Sequence, residues 1–487
     1  MNAHAETTLL EQVPTGLFIG GQWRQAADGA LIDVEDPATG EVLAQVADAS
    51  VAECVEALDA AAAAQASWAA TDPRERSEIL RRAFEAITAR ADDFALLMTL
   101  EMGKPLAEAK GEVTYGAEFF RWFAEEAVRI SGQYSVAPTG GTRLITTKHP
   151  VGPTLMITPW NFPLAMGTRK IGPALAAGCT CVVKPASQTP LTMLLLVQIL
   201  TECGLPDGVV NVVTTSHTGE AMGTLMADSR LRKVTFTGST PVGQKLIEQS
   251  AQQVLKVSME LGGNAPFLVF EDADLDEAVE GAMLAKMRNI GEACTAANRF
   301  IVHESVAEEF SERLVERMTA MKIGRGTEEG VTVGPLIDAK AVDGVHGLVQ
   351  DAIDKGATLR CGGEPMPGAG HFYPPTVLLD VPAEAELVAE EIFGPVAPIR
   401  TFADEAQAIE MANASRFGLI GYVFTRDVSR AIRVAEALEF GMVGLNAGVV
   451  SNPAAPFGGV KHSGLGREGG AEGIEEYLET KYIGLKL

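Results

Sequence analysis

The sequence predicts an α/β protein with two doubly wound parallel-sheet domains and a small β arm. Three observations carry this. Short apolar runs alternate with helical stretches from about residue 150. A second alternating block runs from about 265 to 460. Two strand-prone ribbons, 131–149 and 473–487, stand outside both blocks. With 487 residues the chain is too long for one core, so more than one domain is expected.

Each element has a local reason. Residues 51–135 read mainly helical, because stretches 55–69 and 75–89 repeat apolar positions at helical spacing. Pro73 falls near a helix start, where its missing N–H is tolerated. An apolar run over 151–158 ends at Pro159, and another over 180–183 ends at Lys184-Pro185. A helix over 191–203 is closed by Gly204 and Pro206. Strands at 209–214, 233–237 and 255–258 alternate with helices at 219–227 and 241–252, the last with Thr240 as N-cap. The second block reads strand 265–270, helix 275–288, strand 300–303 and helix 306–321. Such sheets bind ligands beyond the carboxyl ends of their strands, which here carry Asn161, Lys184, Gly238 and Glu260. The two ribbons have no obvious partner, which suggests an exposed edge for pairing between subunits.

Composition narrows the function. A net charge of −25 argues against a nucleic-acid partner and an anionic membrane surface. No apolar run is long enough to span a membrane, and the start lacks the basic and apolar regions of a secretory signal. The six cysteines are scattered, and Cys179-x-Cys181 lacks zinc-ligand spacing. A reduced cytoplasmic protein without a metal site is expected.

Several motifs carry chemistry. Cys294 lies in Asn289-Ile290-Gly291-Glu292-Ala293-Cys294, bared by small neighbours, and Glu260 precedes Leu261-Gly262-Gly263. A thiol is mostly protonated near pH 7, so a carboxylate that takes its proton makes a nucleophile and base. Pro159-Trp160-Asn161-Phe162-Pro163 puts an amide on a proline-stiffened loop, where it can donate to a developing oxyanion. Gly238-Ser239-Thr240-Pro241-Val242-Gly243 joins a strand to a helix whose N-terminus can meet a phosphate, with Gly238 and Gly243 admitting close approach. Lys184 and Ser187 suit a ribose or phosphate. Glu391 and Phe393 could hold ribose hydroxyls and a flat ring.

Taken together, 159–163, 260–263, 291–294 and 390–396, with Glu101-Met102-Gly103-Lys104-Pro105 and Pro456-Phe457-Gly458-Gly459, resemble the signature motifs of the aldehyde dehydrogenase superfamily, in the family's order. The resemblance implies a dinucleotide-binding domain (1–130 and 150–260), a catalytic domain (261–460) and an oligomerisation arm (131–149 and 471–487), with a homodimer or homotetramer. It implies Cys294 as nucleophile, Glu260 as general base and Asn161 as oxyanion donor. Lys170 matches a family lysine near the cofactor, and Glu468 a second carboxylate with a relay role. Cofactor contacts are expected from Thr158, Pro159, Trp160, Lys184, Ser187, Gly238, Ser239, Gly243, Leu261, Glu391 and Phe393.

Arg169, Arg288 and Ser451 match the carboxylate-binding residues of the succinate-semialdehyde branch, with Phe162 and Phe457 beside them. Two guanidinium groups and a hydroxyl can hold a distal carboxylate. Glutarate semialdehyde, one methylene longer, is the nearest rival; a coenzyme-A-acylating relative and a non-catalytic protein on the same scaffold are others. Glu292-Ala293 stands where the family pattern has Gln-Thr, which bears on the shape of the aldehyde pocket. No second cysteine follows Cys294 two positions on, so a switching disulfide is not expected. Ser187 replaces the glutamate common in NAD-using members. With Lys184 cationic, NADP is expected to be preferred and NAD tolerated.

Overall fold

The computed structural model describes residues 3–486. Met1, Asn2 and Leu487, which the expected ranges include, lie outside them.

An eight-stranded sheet runs in the order Gly464–Leu465, Lys256–Glu260, Lys233–Thr237, Thr154–Ile157, Cys181–Lys184, Val210–Val212, Leu17–Ile19, Gln22–Arg24. Its five central strands are parallel, and antiparallel strands close both edges. A parallel sheet must be covered on both faces. Accordingly, Met156 and Val183 enter one apolar core while Leu155, Ile157 and Val182 enter another. This two-residue alternation is hidden in sequence, because both faces are apolar. A second, seven-stranded sheet has Ala265–Val269 and Ala297–His303 side by side, and its residues Phe267 and Leu268 likewise face separate cores. The α/β class stands as the sequence predicts.

Two expectations change. The ribbons are not unpartnered, because they pair with each other. Leu478–Lys486 runs antiparallel to Thr142–Pro150, which also pairs with Gln133–Val136 in a three-stranded sheet. The outer strands stay exposed, with Tyr134, Val136, Tyr482, Ile483 and Leu485 on the surface. The helix expected to start at 241 begins one residue earlier, at Thr240–Ser250, with Ser239 as N-cap. Thr240 therefore does not cap the helix, and its hydroxyl donates to the His462 carbonyl at 3.0 Å. No described helix is long and apolar enough to cross a membrane.

Candidate active site

The carboxyl ends of the first sheet meet the start of the second at one cavity of about 260 Å³. Cys294, Glu260 and Asn161 line it together, although they come from one strand end and two loops far apart in the chain. Glu260 ends the strand Lys256–Glu260. The turn after it presses against the cysteine loop, and a Cβ on Gly263 would fall 2.2 Å from the Cys294 carbonyl oxygen. Only glycine lets these two backbones approach so closely. Before Cys294 the helix Leu275–Met287 stops, and Asn289, Ile290 and Gly291 all take left-handed φ values of 55°, 62° and 79°. The β-branched Ile290 stores roughly 1–3 kcal/mol of strain there. Its burial in the core around Phe300 and Leu336 offsets that cost.

Burial controls the chemistry of these groups. It pushes the Cys294 thiol up to about 12, against the pull of the Arg169 guanidinium. Burial, and then the nearby charge of Glu468, raises Glu260 well above the ordinary carboxylate range. Glu260 Oε2 has no hydrogen-bond partner among the described residues. Glu468 behaves oppositely. Burial opposes its charge, but Arg169 and Lys170 form ion pairs with its two oxygens and hold it below the usual range. The backbone of Glu468 pairs with that of Phe457 at 2.7 and 2.8 Å, which brings this segment to the seam.

The two arginines are not equivalent. Arg169 is spent on Glu468 and on the face of Phe457, 4.1 Å away, and its Nη2 has no hydrogen-bond partner among the described residues. Arg288 meets no described carboxylate. It lies 5.3 Å from the Phe162 ring and 3.4 Å from the Thr295 hydroxyl, on the cavity wall with Ser451.

A nicotinamide cofactor fits the other end. Trp160 and Phe393 meet edge to face at 5.4 Å, and Glu391 accepts from the Gly263 N–H at 3.0 Å. Burial pushes Glu391 up to about 7. Ser239 makes no side-chain cap, so the N–H groups of helix Thr240–Ser250 remain for a phosphate, and the buried Thr237 hydroxyl on the cavity wall has no described partner.

The whole chain points the same way. Residues 23–483 match the model of the aldehyde dehydrogenase family. The chain belongs to that family. It is 62% identical to a succinate-semialdehyde dehydrogenase of Paenarthrobacter nicotinovorans, over 91% of this chain and 99% of that one. It is 53% identical to a glutarate-semialdehyde dehydrogenase of Pseudomonas putida, over 96% of both chains. A crystal structure of an E. coli NADP-dependent enzyme superposes with a TM-score of 0.97 at 51% identity, over 99% of each chain.

In this aldehyde dehydrogenase, fifteen of the expected residues reach the cavity, and Thr158, Lys170, Lys184, Ser187, Gly243 and Glu468 do not. Lys170 and Glu468 stand behind the wall as an ion pair, and the Thr158 N–H donates to the Lys184 carbonyl at 3.1 Å. Lys184 is buried at its strand end, and Ser187 faces a separate acidic hollow with Asp33, Glu35 and Asp338. A Cβ on Gly243 would meet Leu261 at 2.3 Å, and one on Gly238 would meet the Phe236 ring at 2.4 Å, so both glycines also make room for neighbouring side chains. One reading needs correction. Glu292 does not shape the aldehyde pocket. Its carboxyl turns away into the protein and accepts from the Ile337 N–H at 3.0 Å. Tyr115, Met166, Thr237, Gly262 and Thr295 also line the cavity, and sequence reasoning missed them. Tyr115 sits inside the helix Leu106–Ala127, where an aromatic reads as core.

Burial favours the protonated forms of both Cys294 and Glu260, whereas an attacking sulfur and an accepting carboxylate must both have lost their protons. The pH dependence therefore runs one way: kcat/KM should rise with pH through the neutral and mildly alkaline range. A flat steady-state profile across that range would contradict it.

Proposed function

We propose that this chain oxidises succinate semialdehyde to succinate, with NADP preferred and NAD tolerated. One observation carries the substrate: Arg288 brings an unpaired guanidinium, with the Ser451 hydroxyl, into an acidic protein's cavity beside Cys294. A distal carboxylate held there would place its aldehyde carbon toward the sulfur. Cys294, its proton passed to Glu260 through water, adds to the aldehyde to form a thiohemiacetal. The Asn161 amide stabilises the oxyanion. Trp160, Glu391, Phe393 and the helix start at Thr240 would hold the cofactor, which would supply the hydride acceptor. Loss of hydride from the thiohemiacetal leaves a thioester on Cys294. Once Glu260 has passed that first proton to solvent, it takes a second from the water that attacks the thioester; collapse of the adduct breaks the C–S bond, expels the Cys294 thiolate and releases succinate. Glu468, charged by its two cations, keeps Glu260 basic enough to accept that proton.

Lys184, which burial lowers only to about 8, brings a positive charge to its strand end, and this supports the NADP preference, as does the name of a relative with 52% identity, an NADP(+) succinate-semialdehyde dehydrogenase. The exposed apolar residues of the three-stranded sheet support assembly into a dimer or tetramer through that arm. The free cysteines suit a reducing cytoplasm.

Glutarate semialdehyde is a second substrate, since one methylene shifts binding by only about 1–3 kcal/mol and a relative with 53% identity carries that name. The test is a panel of succinate semialdehyde, glutarate semialdehyde, acetaldehyde and benzaldehyde, run with NADP and with NAD. Arg288→Ala should lower kcat/KM for the two acids by about 30- to 100-fold, the value of a charge-assisted contact, and spare the other two. Equal loss on all four would refute the carboxylate reading. A clear NAD preference would refute the cofactor reading.

A further inference from the structure

Asn161 and Cys294 come from loops of different sheets, and oxyanion stabilisation demands that they stay in register. One side chain ties them. The Nδ2 of Asn289 donates to the main-chain oxygen of Asn161 at 3.1 Å and to the carbonyl of Glu292 at 2.9 Å. The Nδ2 of Asn161 donates to that same Glu292 carbonyl at 3.0 Å. The Glu292 N–H in turn donates to the Asn289 carbonyl at 2.9 Å. Asn289 is itself pinned: it is 1% exposed, left-handed at φ 55°, and its N–H donates to Glu108 on the helix Leu106–Ala127 at 2.5 Å.

We propose that Asn289 is a positioning residue for the oxyanion donor. It fixes the Glu292 carbonyl, and this carbonyl aims the Asn161 amide. An amide turns freely about its last torsion, so an unheld Asn161 would point its N–H groups in several directions. Anchoring one N–H on the Glu292 carbonyl leaves the other with a single direction. Asn289 sets where that anchor sits, because it holds the same carbonyl while gripping the Asn161 backbone. Lys104 also donates to the Asn161 main-chain oxygen, at 2.8 Å, so the loop keeps one support when Asn289 is removed. The inference rests on Asn161 being the oxyanion donor.

Asn289→Gly removes the amide and tolerates the left-handed backbone. Asn289→Asp keeps the size and the backbone preference but cannot donate to two carbonyls. Both variants, Asn161→Ala, and Asn289→Gly combined with Asn161→Ala are compared by kcat/KM for the aldehyde and by the dissociation constant of NADP. Each Asn289 variant should lose about 10- to 100-fold in kcat/KM, as for a catalytic group misplaced by about an ångström, with NADP binding unchanged. Asn161→Ala should lose about 10²- to 10³-fold. The double variant should stay within about threefold of Asn161→Ala alone, because one residue acts through the other. Multiplying losses, weakened NADP binding, or wild-type kcat/KM in Asn289→Gly would each overturn the proposal while leaving Asn161's role intact. Wild-type activity in Asn161→Ala would remove that role and the proposal together.

Discussion

Replacing Glu260 by Gln should give one equivalent of reduced cofactor per subunit and then nearly stop, with steady-state kcat lower by about 10²- to 10⁴-fold. The asymmetry follows from the two protons that Glu260 handles. The Cys294 thiol sits near 12, so solvent hydroxide can still remove its proton when the carboxylate is gone. Hydrolysis needs a water deprotonated as it attacks inside the buried site, and water is a far weaker acid than the thiol. Thioester formation therefore slows, but hydrolysis all but halts. Rapid-mixing absorbance separates the two phases, and the burst should quicken as pH rises. If Glu260→Gln turned over steadily without a burst, Glu260 would not be the hydrolytic base. The buried Gln would keep the shape of the site, since Glu260 Oε2 has no described partner to lose.

Much of the site was legible because the chemistry sits on punctuated turns. Asn161 lies between two prolines, Glu260 just before two glycines, and Cys294 among small residues, so each motif could be read where it stood. Pairings across the chain could not. Lys170 and Glu468 are 298 positions apart, and nothing local to Arg169 shows that this carboxylate consumes most of its charge. The two ribbons seemed unpartnered for the same reason, because their register joins residues more than 300 positions apart. Strain was equally hidden. Ile290 is a poor candidate for a left-handed backbone, and only burial of its side chain among the second core explains why it is there. The room that Gly243 leaves for Leu261 was hidden too, because that neighbour belongs to the next strand's end. The first sheet's edge strands, Leu17–Ile19, Gln22–Arg24 and Gly464–Leu465, are too short to show a period of two.

The account stands or falls on the sulfur of Cys294. Cys294→Ala should lower kcat for succinate semialdehyde by more than about 10⁵-fold, as loss of a covalent nucleophile does, because no other cysteine lines the cavity. NADP binding, followed by quenching of tryptophan fluorescence, should be unchanged, since the expected cofactor contacts at Trp160, Glu391, Phe393 and the helix start do not involve that side chain. A Cys294→Ala protein that binds NADP normally and still oxidises the aldehyde at a wild-type rate would contradict covalent catalysis at this site.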